Sequence, residues 1–251
     1  MAVANTHSRW VNGALVYYDG SDHRKSWLDA MGSNVVKYIN DFVVCPRSTI
    51  AAYSVNNPEW IITHTSAGTG MSEVKSANMR GGVLTLEPAS NDNDGIVMQH
   101  QEEAFRTKTD CPLYFGVRYK CDEATQSDFA LGLAEHDTAV FTNTSHAIFI
   151  KKVDGATAIK LHVVKDETTD SGTTMGTCSA TDWNVDEFLV SSTSKVECWH
   201  NNTYIGSVTA GIPSTDMAVT LAFLSGANTS TYNLFIDWVR CIQVNNARTT
   251  E

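Results

Sequence analysis

The chain has 251 residues, 42% hydrophobic and 18% charged, with a formal net charge of −10. Its Lys and Arg form no run, so the electrostatic footprint of a phosphate-backbone binder is missing and nucleic acid is not an expected partner. No apolar stretch reaches the roughly 18–20 residues of a membrane span, so a membrane is not expected either.

A length near 250 residues suits one large β domain, and Ser, Thr, Asn and Gly are abundant, as exposed strand faces and turns require. Residues 1–32 read as an N-terminal arm. They carry Trp10, Tyr17, Tyr18 and Trp27 among small polar residues, too few apolar groups for a core of their own. Ser21 to Met31 reads as a short helix, with Ser21 as N-cap and Gly32 as the stop. A helix that short must dock on something. The four aromatics are therefore the candidate contact residues. No basic segment precedes an apolar run at the N-terminus, so no secretory signal is expected and the chain is expected to fold in a reducing cytoplasm. The six cysteines (Cys45, Cys111, Cys121, Cys178, Cys198, Cys241) are then expected as free thiols, with Cys121, Cys198 and Cys241 as small buried hydrophobes in strands.

Residues 33–245 follow a period of two. Val36, Tyr38 and Phe42 alternate with Lys37 and Asp41. Val83–Glu87 and Ile96–Gln99 flank the polar turn Ser90-Asn91-Asp92-Asn93-Asp94-Gly95. In the next strand Leu113, Phe115, Val117, Tyr119 and Cys121 share one face, with Arg118 and Lys120 on the other. Phe129, Leu131 and Leu133 point inward opposite Ala130, Gly132 and Ala134, a small-residue face on which another backbone should lie close. Asp154-Gly155 and Asn201-Asn202 mark two hairpins. Val219, Leu221 and Phe223 alternate, and a final strand places Leu234, Ile236, Trp238, Ile242 and Val244 on one side. Residues 246–251 read as a tail. This pattern specifies an all-β, antiparallel two-sheet jelly-roll sandwich, in which the strands near Val36 and Trp238 should pair.

Several stretches carry a resemblance: Gly20–Ala30, Ser90–Ile96, Pro112–Lys120, Asp122–Phe129, Lys151–Gly155 and Phe235–Arg240. The order of segments resembles the concanavalin A/laminin G-like jelly roll. These stretches resemble, more narrowly, tailed-bacteriophage structural proteins that decorate the capsid. That resemblance implies a non-catalytic decoration, or cement, protein on the virion capsid surface, made in the bacterial host cytoplasm. It further implies the major capsid protein as partner and self-association as a homotrimer. The alternative is a carbohydrate-binding, lectin-like module of a phage tail or fibre.

The residues name no reaction of their own. Glycanases on such sandwiches present two or three carboxylates on one strand face, about 5–9.5 Å apart across a sugar cleft. No strand reads E-x-D-x-x-E; Asp122-Glu123 and Glu102-Glu103 are adjacent pairs, which point to opposite faces. The chain is therefore expected not to be an enzyme. Ser90-x-Asp92-x-Asp94-Gly95 superficially tracks a calcium loop, but lacks the first Asp and the bidentate Glu. His100-x-Glu102 and Glu135-His136-Asp137 offer too few ligands for zinc without help from elsewhere. No phosphate- or dinucleotide-binding loop is present, and no cofactor or metal is expected. Trp183, Trp199 and Tyr204 lie in otherwise polar segments and are the candidates for stacking on a sugar, although tryptophans in sandwiches are more often core.

Overall fold

Period-two alternation becomes strand along most of the computed structural model, which describes residues 6–20, 26–44, 59–65, 72–75, 79, 81–142, 144–169, 172–226 and 232–246. The first strands are β1 (Thr6–Val11), β2 (Ala14–Asp19), β3 (Ser26–Met31), β4 (Val35–Asn40) and β5 (Trp60–Thr65). Then come β6 (Ser72–Lys75), β7 (Leu84–Glu87), β8 (Gly95–His100), β9 (Phe105–Arg106) and β10 (Leu113–Cys121). They are followed by β11 (Ser127–Ala134), β12 (Ala147–Lys152), β13 (Ala158–Lys165), β14 (Thr168–Thr169) and β15 (Thr173–Thr177). The last are β16 (Asn184–Ser192), β17 (Lys195–His200), β18 (Thr203–Val208), β19 (Asp216–Ser225) and β20 (Leu234–Val244).

Two large antiparallel sheets result. One runs β18-β17-β16-β10-β20-β7-β6, with β4 also on β20; the other runs β14-β13-β12-β11-β19-β8-β5, with β15 on β13 and β9 on β19. The expected pairing of chain ends is present, from Val239↔Asn40 to Val244↔Val35. Both sequence-marked hairpins form. Gly155 lies in the β12–β13 turn at φ +74, and Asn201 and Asn202 turn β17 into β18 at φ 44 and 76. Asn tolerates this left-handed backbone because its short side chain can bond locally.

The main core fills the gap between the sheets, with Phe115, Tyr119, Phe129, Phe188 and Phe223 fully buried in it. The small-residue face of β11 is covered as its sequence implies. A side chain at Gly132 would collide with the Ile148 carbonyl of β12, and Val140, Phe141 and Phe149 pack over Ala130 and Ala134.

The arm departs from expectation. Where a helix was expected over Ser21–Met31, Ser26–Met31 is the strand β3, and residues 21–25 lie outside the described ones. β1, β2 and β3 form their own three-stranded sheet. Pairing with β2 from Leu15↔Met31 to Asp19↔Ser26 satisfies the backbone of β3 better than an isolated short helix could. This small sheet lies on the outer face of the first large sheet. Ala14, Val16, Trp27 and Ala30 bury themselves against Tyr114, Leu189, Trp199, Ile242 and Val244. The arm thus covers its own domain. Trp27 is 0% exposed and stacks on Tyr114 with ring centroids 6.0 Å apart. Trp27→Ala should therefore destabilise the fold by about 3–5 kcal/mol. Urea unfolding checks this, and an unchanged midpoint would mean the arm does not hold to the sandwich in solution.

Candidate functional site

The small sheet covers only part of the face beneath it. β10 sends Leu113, Phe115, Val117, Tyr119 and Cys121 to the core, and therefore Tyr114, Gly116, Arg118 and Lys120 away from it. Tyr114 lies under Trp27, whereas Arg118 remains partly exposed. Across the ladder Arg118 faces Val185 of β16 and Trp238 of β20.

Trp238 was expected to share a side with Leu234 and Ile236. It does not, because the register shifts between Arg118 and Tyr119, so that Asp237 is an extra residue on β20. Leu234 and Ile236 stay in the core, while Ile242 and Val244 pack under the arm and Trp238 and Arg240 sit on that same outer face, partly exposed. The bulge also brings Asp237 to the Arg118 guanidinium, with which it forms an ion pair.

The outer face therefore carries two matched pairs. The Arg118 guanidinium lies 4.5 Å from the ring centroid of Trp183, and that of Arg240 lies 4.1 Å from Trp238. Stacking a guanidinium on an indole fixes both planes and leaves the N–H donors at the rim, so each pair offers flat apolar area beside hydrogen-bond donors. Glu187 points to this face from β16, 1% exposed. It accepts hydrogen bonds from the Tyr114 hydroxyl at 2.5 Å and from Ser26 of β3. Burial, and then the Glu187 charge, push the Tyr114 hydroxyl well above the usual tyrosine range, so it stays a donor. A side chain at Gly116 would strike the Tyr114 hydroxyl, so glycine there lets the ring lie down towards Glu187.

Of the three residues expected to stack on sugar, Trp183 belongs to this patch. Tyr204 is 51% exposed beside Trp199, ring centroids 5.6 Å apart, but Trp199 itself is buried beneath the arm. The four arm candidates divide. Trp27 is buried in its own domain, Tyr17 and Tyr18 are half-buried, and Trp10 is 73% exposed. Tyr18 is held by His7 at 5.8 Å and by the Arg9 guanidinium at 5.3 Å.

Several of the residues weighed for metals have protein partners of their own. Asp94 caps its own turn, taking the Asn91 side-chain amide at 2.8 Å. Glu135, His136 and Asp137 diverge: Glu135 meets His146 at 3.1 Å, His136 meets Glu103 at 3.7 Å, and Asp137 takes the backbone N–H of Ala139 at 2.8 Å.

A polar cluster that no sequence motif announces lies at the other side of β16. Asp186 is fully buried, accepts from the Tyr119 hydroxyl at 2.6 Å and holds His200 Nδ1 at 2.6 Å. The hydrogen bond to Asp186 raises the His200 pKa, against the cost of burial. His200 is thus more easily protonated folded than unfolded, where its pKa is about 6.5. Its contribution to stability is complete below that value and is lost as pH rises through the raised folded value. Urea midpoints across this window should fall for the native chain and stay flat in His200→Asn; parallel profiles would show that the pair contributes nothing.

No protein-family profile matches the chain, and no curated protein does. Solved structures do. A protein of unknown function from Shewanella oneidensis aligns with TM-score 0.56 at 14% identity, covering 86% of this chain and 90% of that one. An endo-1,3-beta-glucanase from Streptomyces sioyaensis aligns with TM-score 0.55 at 15% identity, covering 86% and 99%. A prokaryotic beta-1,3-1,4-glucanase (lichenase) derived from a mouse hindgut metagenome aligns with TM-score 0.59 at 11% identity, covering 82% and 98%. The fold is the concanavalin-like jelly roll.

The expectation that the chain is not an enzyme is corrected by these neighbours, because the same scaffold carries endo-glucanases. That expectation came from looking for carboxylates along single strands. Sheet pairing instead assembles this face from several strands, and Glu187 and Asp237 reach it from β16 and β20.

Proposed function

We propose that the outer face of β10, β16 and β20 binds a polysaccharide, as a glycan-binding module of the kind a phage tail or fibre carries. The observation that carries this is the pair of indoles, Trp183 and Trp238, each backed by a guanidinium on the part of the sheet that the arm leaves uncovered. Sugar rings present apolar C–H faces and a rim of hydroxyls, and this surface offers aromatic area with donors beside it. The two neighbours named as glucanases make β-1,3- and mixed β-1,3-1,4-glucans the first ligands to test. Head decoration, with the major capsid protein and a homotrimer as partners, rests on the sequence resemblance alone. Copy number in purified particles separates the two readings, many per virion for a head protein and few for a tail part.

Affinity electrophoresis through gels containing these glucans should show retardation of the native chain. Trp183→Ala and Trp238→Ala should each weaken binding at least about tenfold, the loss of roughly 1.4 kcal/mol of contact. Tyr17→Ala, away from the patch, should not. Native-like mobility for both tryptophan variants would overturn the assignment of this face. Release of new reducing ends from the bound glucan then distinguishes a glucanase from a lectin.

A further inference from the structure

Cys121 ends β10 in one large sheet, and Cys178 follows β15 at the margin of the other. Their sulfurs nevertheless lie 2.7 Å apart within the main core. Non-bonded heavy atoms settle at about 3.5–4.0 Å, and a disulfide closes at about 2.05 Å. The two thiols are therefore inside contact distance and short of a bond by less than the gap between those values. Among the described residues no other two cysteine sulfurs meet; Cys111, Cys121, Cys178, Cys198 and Cys241 are all buried free thiols.

A third group shares the site. Lys152, at the end of β12, is 0% exposed and donates from Nζ to the Thr125 carbonyl at 3.0 Å and to the Ser127 carbonyl. A buried ammonium beside a thiol favours the thiolate, the species that attacks in disulfide exchange. The two sulfurs are unequal: the hydrogen bond between them, and then Lys152, ease the ionisation of Cys178, while the same bond and burial oppose that of Cys121.

We propose that Cys121 and Cys178 are the site of an intramolecular disulfide that staples the two sheets together, formed by exchange with a small-molecule disulfide such as oxidised glutathione. One of the two cysteine thiolates attacks one donor sulfur, and one donor thiolate leaves. The other cysteine then gives up its proton and attacks the Sγ of the first, and the second donor thiolate leaves. Both cysteine protons end on the two released donor thiols; the protein loses two electrons and the donor gains them. Because both sulfurs are buried, exchange takes place before the core closes, during folding. The bond would close the segment 122–177, which holds β11 to β15, and so restrict the unfolded chain. The six cysteines read from the sequence as free thiols, and Cys121 and Cys178 are both free thiols in the structure; the proposal concerns what oxidation makes of this pair.

The full chain, unfolded in reductant and refolded in a buffer of reduced and oxidised glutathione, should then be alkylated under denaturing conditions and weighed intact. Of the six cysteines, four should be alkylated, two having entered the bond. Peptide mapping should find one cross-link, between the peptides holding Cys121 and Cys178, that dithiothreitol abolishes. The oxidised chain should melt higher than the reduced one. In Cys178→Ser all five remaining thiols should stay alkylatable. Alkylation of all six in the native chain, or a cross-link joining other cysteines, would overturn the proposal.

Discussion

A β-sheet has two faces, and burying one does not dispose of the other. Here both large sheets are apolar on the inside and, over part of their width, on the outside as well. The inner faces meet in a common core. The outer faces need separate covers, which come from different parts of the chain: β1 to β3 over Tyr114, Leu189, Ile242 and Val244, and Val140 with Phe141 over Ala130 and Ala134. What the covers leave open is the surface available for recognition, so the site is defined as much by where the arm stops as by the residues that line it.

The charged groups that this layering buries most deeply are committed to partners. Glu187, under the edge of the arm, has two hydroxyl donors; Asp186, on the reverse side of the same strand, has a hydroxyl and an imidazole; Lys152 has two carbonyls. Groups this deep cost several kcal/mol each if left unpaired, so they fix the register of the strands that supply their partners. Adjacent residues Asp186 and Glu187 serve opposite faces, which only an extended backbone allows.

Much of the sandwich was legible in the sequence because alternation and turn chemistry are local. The strand from Leu113 to Cys121, the Asp154-Gly155 turn and the Asn201-Asn202 turn can each be read from a few consecutive residues. The failures are non-local. Ser26–Met31 looked helical because its strand partner, β2, is identifiable only once the chain has folded back. The candidate site was half visible: Trp183 stands out in a polar segment, but its companion Trp238 was placed on one side with Leu234 and Ile236. The carboxylates escaped for the same reason, since no window along one strand contains both Glu187 and Asp237.

The bulge at Asp237 accounts for that wrong assignment. One additional residue reverses the phase of a strand, so the start of β20 is core-facing at even positions and its remainder is core-facing at odd ones. A single strand thus lends its apolar residues first to the core and then to the layer beneath the arm. An alignment that matches this strand to a relative by hydrophobic pattern alone would be out of step by one from Trp238 onward. Comparisons of the face at Arg240 across jelly rolls have to be made by spatial position, counting back from the paired neighbour Gly116.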